Sequence, residues 1–288
     1  MKTSQNLSSR LLSQRIGFSV LTGMTLLTVI PVVLTIVYIV IQGAPAVSWE
    51  FITAMPYDGM RAGGIWPAIV GTFYLTLGTA LFAVPVGIGA AIYLAEYAPD
   101  NRATRLIRLA IINLAGIPSV VYGLFGLGLF VLFLRLGTSI LAGSLTLAIM
   151  TLPIIISTAE EALRSVPQPF RVVSISLGGT RWQTIRKIVL PQALPGILTG
   201  VILGLGRAAG ETAPILFTVA AFFLPSLPNS PLDATMALPY HLFVISTQVP
   251  GMPIEIQYGT ALVLVAFVLI MNLIAAAIRS RARARRQW

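Results

Sequence analysis

EEALRSVPQPFRVVSISLGGTRWQTIRKIVLP, residues 160–191, lies between two long apolar runs and carries Arg164, Arg171, Arg181, Arg186 and Lys187 against Glu160 and Glu161. A loop this basic between membrane spans lies on the cytoplasmic side. Its punctuation predicts a folded segment. Pro169 opens a short helix, Gly178-Gly179 interrupts the chain, and Thr180 with Gln183 three residues on has the capping-box spacing of a second helix. Pro191 is expected to stop that second helix. Trp182, Ile185 and Val189, at i, i+3 and i+7, give it one apolar face beside a basic one. An element of this kind inside a membrane protein is suited to docking a soluble partner.

The flanking runs decide the class. With 56% hydrophobic and 10% charged residues in 288, the chain departs from soluble domains, where about a quarter of residues are charged. The reading is an all-α integral membrane protein. Apolar runs are expected to span at about 17–41, 66–94, 109–134, 138–158, 193–224 and 258–278, each long enough for a hydrocarbon core of roughly 30 Å. Ala44-Pro45-Ala46 resembles a cleavage site, but the run before it exceeds a signal-peptide core, so it is expected to remain as the first span. All of the 19 Lys and Arg except Arg61, Arg135 and Arg207 fall at the termini or in the two loops that six spans place on the same side. Both termini are therefore cytoplasmic.

The expected organisation is a cytoplasmic segment 1–16, a permease domain 17–278 with its core at about 66–278 and a coupling loop at 160–191, and a basic tail 279–288. The net charge of +10 follows this topology and the anionic lipid surface, and nucleic acid is not implied. No cysteine is present, which excludes disulfides, thiolate metal sites and a cysteine nucleophile.

Within the predicted fifth span, Gly196, Gly200 and Gly204 recur at four-residue spacing, and Gly206 with Gly210 repeats the interval one register over. Small residues so spaced let helices approach closely in lipid. Arg207 and Glu211 sit four apart near the middle of the same run, where an unpaired charge costs at least about 2.5–3.5 kcal/mol. Two readings stand: a mutually satisfied structural pair, or an anion path lined by Arg207 and tuned by Glu211. A guanidinium fork matches phosphate-like oxyanions.

Gly178 followed ten residues later by Ile188, Val189, Leu190 and Pro191 resembles the cytoplasmic loop of ABC importer permeases. Val172, Val173 and Ser174 stand where that family has Glu-Ala-Ala. Arg207-Ala-Ala-Gly-Glu-Thr-Ala-Pro214 resembles the motif of phosphate importer permeases, its Thr-Ala-Pro ending that of the A-type subunits, and Ala115-Gly-Ile-Pro-Ser-Val-Val-Tyr-Gly-Leu-Phe125 is similar to the same group. The resemblance implies a type I importer permease in the cytoplasmic membrane of a bacterium or archaeon, translocating inorganic phosphate by alternating access. It implies that Gly178, Gly179, Arg181, Trp182, Ile188, Leu190 and Pro191 couple to an ATPase, and that Arg207, Glu211 and Thr212 line the substrate path. It implies four partners: a homologous C-type permease, two ATPase subunits and an extracytoplasmic phosphate-binding protein. The chain itself would bind no cofactor, with ATP and magnesium held by the ATPase.

Three alternatives remain beside this reading. A sulfate or molybdate permease shares the architecture. A stand-alone channel or secondary carrier leaves the basic loop unexplained and lacks a visible repeat. A membrane enzyme has only His241, in an expected interfacial or re-entrant helix, with Asp233 and Glu255 scattered outside. Lys2 and Lys187 are the only lysines and neither belongs to a phosphate-gripping loop.

Overall fold

The computed structural model of the chain describes the backbone of residues 2–224 and 226–284, and the side chains of residues 14–224 and 226–281. The basic-tail residues Arg285 and Arg286 lie outside the described residues. Helix α1 runs Lys2–Gly43, and a 3-10 turn at Ala44–Ala46 leads to α2, Trp49–Thr53, and a hairpin of β1, Pro56–Tyr57, with β2, Ala62–Gly63. Helix α3, Trp66–Ile92, continues as a π-turn through Tyr93–Tyr97. Next come α4, Arg102–Ala115, and α5, Ser119–Gly126, which is prolonged by a π-helical stretch at Leu127–Phe133. Then α6, Ile140–Arg164, is followed by α7, Gln168–Ser176, and α8, Arg181–Thr184. A π-turn at Ile185–Val189 carries α8 directly into α9, Leu190–Gly210. Helices α10, Ala213–Thr218, α11, Leu238–Thr247, and α12, Ile254–Ala284, complete the described chain.

Among the described residues five helices are long and apolar enough to cross a membrane, and the bent pair Arg102–Ala115 with Ser119–Phe133 brings the number to six if it is counted as one span. The core is a trio in which α6 is packed between α3 and α9. Gly196, Gly200 and Gly204 of α9 face Ala162, Thr158 and Ile155 of α6, so the glycine ladder is the seam between these two spans. Gly206, one register over, faces Asn272 of α12. By contrast α1 lies against α12, its most apolar stretch unburied and, among the described residues, only Gly43 at its end enclosed.

Three sequence expectations are corrected. The third span is not one straight helix, since α4 and α5 meet at 101°. Pro118 has no N–H to continue the ladder and keeps the preceding residue out of helical geometry, so the helix must restart there. The Tyr122 hydroxyl then donates to the Leu114 carbonyl at 2.8 Å, clipping α5 back onto α4 across the bend.

Pro191 does not stop the second helix of the basic segment. The π-turn widens the helix just ahead of it, so the proline falls in the first turn of α9, where its missing donor and fixed φ are tolerated. The fifth span is also shorter than expected. Its helix ends at Gly210, and Glu211 is extended (φ −76°, ψ 133°), so Arg207 occupies the last turn of α9 and not the middle of a longer helix.

Candidate functional site

The basic segment forms a compact knob. Thr180 and Gln183 make both bonds of the capping box that starts α8. The Ser174 and Thr184 hydroxyls meet at 2.8 Å, fastening α7 to α8. Between them Gly178 adopts φ +84°, a conformation that disfavours any residue with a Cβ. Ile185 and Val189 face inward and Val189 packs with Leu163, Val166 and Ala193, whereas Trp182 is 53% exposed. The expected apolar face is thus divided, because the buried packing begins only after the first turn of α8. Ile188 and Leu190 are half-buried, while Pro191 is exposed.

Outward, the knob presents Val172, Val173, Ile175, Leu177 and Trp182, with Leu177 83% exposed. A shallow concavity beside them is lined by Phe170, Val173, Leu177, Gln183, Lys187 and Ile188. The knob's inner side carries polar contacts beside the buried Ile185 and Val189. Arg171 grips the Glu96 carboxylate at 2.7 Å and donates to the Leu163 and Val166 carbonyls at 2.9 and 2.6 Å. Arg181 donates to the Glu96 carbonyl and lies over the Tyr97 ring at 4.9 Å, so its guanidinium is turned back toward α3. Glu160 bonds Arg108 at 2.8 Å and Arg164 at 3.0 Å, a commitment that keeps it from standing in for an acidic residue at Val172 on the outer face.

At the far end of the same helical run, roughly 40 Å away by helix rise, Arg207 Nε donates to Glu211 Oε1 at 3.0 Å. Their side chains are 36% and 16% exposed, so both readings of the pair meet in one place: the charges satisfy each other yet remain accessible. Arg207 also stands where the carbonyl end of α9 favours a cation. Glu211 borders a small cavity with Thr72, Thr76, Leu147, Ala237 and Pro239. Thr212 is half-buried at the start of α10, and its carbonyl accepts from the Leu216 N–H at 3.1 Å.

Thr72 and Thr76 are not among the candidate residues legible in the sequence. Their signal was a Thr72, Thr76, Thr79 face at helical spacing, each hydroxyl donating to a carbonyl one turn back. Thr72 also accepts from the Leu238 N–H at 2.8 Å, tying α3 to α11. His241 on α11 is buried, and burial lowers its pKa to about 4, so it stays uncharged at neutral pH.

The two segments singled out in spans three and five pack on each other. A Cβ on Gly123 would come within 3.0 Å of the Ala213 carbonyl oxygen and of Pro214 Cα, both backbone atoms. Gly123→Leu is therefore expected to push α10 away and destabilise the fold by about 1–3 kcal/mol, read as a lowered thermal midpoint of the purified protein in detergent.

Residues 83–284 match the family model described as the binding-protein-dependent transport system inner membrane component. The chain is 37% identical over 252 residues to the probable ABC transporter permease protein YqgI of Bacillus subtilis, covering 83% of this chain and 85% of that one. It is 37% identical over 227 residues to the phosphate transport system permease protein PstA 1 of Mycobacterium tuberculosis, covering 78% and 73%. Its fold is similar to the crystal structure of a bacterial ABC transporter involved in the import of the acidic polysaccharide alginate, with TM-score 0.67 and 17% identity over 94% of this chain and 99% of that one. The chain belongs to the binding-protein-dependent transport system inner membrane components, with the type I importer permease fold.

Proposed function

We propose that the chain is the permease subunit of an ATP-driven importer that moves inorganic phosphate across the cytoplasmic membrane by alternating access. The observation that carries this reading is the continuous helical run from Arg181 to Gly210, with the cytoplasmic knob at one end and Arg207 at the other. A displacement of the knob is thereby delivered to the charged break without an intervening flexible loop. Similarity to a phosphate transport permease supports the choice of substrate. The accessible guanidinium supports it chemically.

In this reading residues 17–278 are the permease domain and 160–191 the coupling segment, with the tail 279–288 in the cytoplasm. Gly178, Gly179, Trp182, Ile188, Leu190 and Pro191 shape or present the surface that meets the ATPase, and Arg181 holds that surface in place. Arg207 attracts the anion, Glu211 competes with it for the guanidinium, and Thr212 offers a hydroxyl beside them. The partners are a homologous C-type permease, two ATPase subunits carrying ATP and magnesium, and an extracytoplasmic phosphate-binding protein.

The test is uptake of radiolabelled phosphate by phosphate-starved cells with and without this chain, with excess sulfate as competitor. Loss of sulfate-insensitive uptake on deletion is the expected result. Unchanged uptake, in cells stripped of other phosphate importers, would reassign the substrate to another oxyanion.

A further inference from the structure

The cytoplasmic end of α3 is gripped by three guanidinium groups from three different elements. Arg108 of α4 donates to the Leu94 carbonyl at 2.9 Å, Arg171 of α7 holds the Glu96 carboxylate, and Arg181 of α8 holds the Glu96 carbonyl. The π-turn at Tyr93–Tyr97 makes this possible, because its widened geometry takes carbonyls out of the ordinary ladder. The Arg171–Glu96 pair is largely shielded from water, at 12% and 9% exposure. Arg171 also donates to the Leu163 carbonyl of α6 and to the Val166 carbonyl just past its end, so one side chain joins α3, α6 and the knob.

At its outer end α3 is equally committed. Thr72 accepts from the Leu238 N–H, and Gly71 lies against Met236 and Thr235. Thr72 and Thr76 also line the cavity bordered by Glu211. Helix α3, packed along α6, therefore reaches from the knob to the wall of the charged break by its own backbone.

We infer that Glu96 and Arg171 form a permanent clasp through which α3, in addition to α9, transmits knob movement to the wall beside Glu211. Both are positioning residues, and the inference rests on the reading of the knob as an ATPase dock. Two spans, α3 and α9, then move as one body with the dock, and the path is opened from both of its sides.

The test uses the complete transporter with its binding protein in proteoliposomes, supplied with ATP and radiolabelled inorganic phosphate. Glu96→Gln is expected to keep wild-type amounts of bound ATPase and to retain ATP hydrolysis, while phosphate moved per ATP falls roughly tenfold. A paired Glu96→Cys, Arg171→Cys variant is expected to show the same loss and to regain transport when the two thiols are bridged by a short bis-thiol reagent. The absence of native cysteine in this chain makes that bridge selective within it. An unchanged phosphate-to-ATP ratio in Glu96→Gln, or a bridge that leaves transport lost, would overturn the clasp. A wild-type complex that carries no ATPase would instead overturn the docking reading itself.

Discussion

Arg207→Gln is expected to lower phosphate uptake by roughly ten- to a hundredfold, the loss of one charge-assisted contact of about 1.5–3 kcal/mol, without loss of assembly. The expectation of intact assembly follows from the geometry. Arg207 is more than one-third exposed, and its ion pair is an i,i+4 contact to Glu211, so it contributes only about 0.3–0.5 kcal/mol to folding. Glutamine keeps the length and some hydrogen bonding but carries no charge to draw an anion into a low-dielectric path. Arg207→Lys should retain part of the activity, since the charge survives and the bidentate fork does not. Uptake assays on membranes with equal amounts of co-purified ATPase separate these outcomes. Normal uptake by Arg207→Gln would remove Arg207 from the pathway.

Gly178→Val is expected to cut ATPase association severalfold while the membrane core stays folded. The argument is purely one of backbone. No atom lies within 4 Å of a Cβ built on Gly178, so a side chain has space, but φ +84° is strained for a β-branched residue by about 1–3 kcal/mol. The strain is relieved by rotating α7 against α8, which breaks up the outer surface formed by Leu177 and Trp182. Gly178→Asn, which tolerates this region better, should retain more ATPase than Gly178→Val. The ratio of ATPase to permease after affinity purification measures the effect. Equal retention by glycine, asparagine and valine would count against a docking role for this turn.

The sequence showed the long apolar helices, five or six of them as the bent pair is counted, because lipid leaves few choices. Apolar runs of spanning length cannot be hidden elsewhere, and basic residues sort to one side. The capping box at Thr180 and the seam of Gly196, Gly200 and Gly204 were equally visible, since both depend on local spacing. What escaped was the fate of residues whose partners are distant in sequence. Glu96 and Arg171 are 75 positions apart, and nothing in either neighbourhood announces the other. Arg181 counted as part of the basic face, yet its contacts run back to Glu96 and Tyr97.

Proline was misread at two sites for the same reason. At Pro118 a sharp bend appears where a continuous span was expected, and at Pro191 a helix continues where a stop was expected. Each outcome is set by the turn preceding the proline and by what packs against it. Glu211 was located correctly in the chain but not in its conformation, because the helix break after Gly210 places it in extended backbone.

The π-turn at Ile185–Val189 also bears on how this protein can change over evolutionary time. Each helical residue rotates the chain by about 100° and advances it about 1.5 Å, so the unbroken run from Arg181 to Gly210 acts as a ruler with a fixed phase. Replacing a residue along it leaves the bearing of the knob unaltered. Adding or removing one swings the knob by more than a quarter turn around the span, away from any fixed groove, unless another π-turn absorbs the change. Length variation among descendants of this chain is therefore expected to be barred from this run and to fall instead in irregular stretches such as 226–229, ahead of the buried Thr235, Met236 and Ala237.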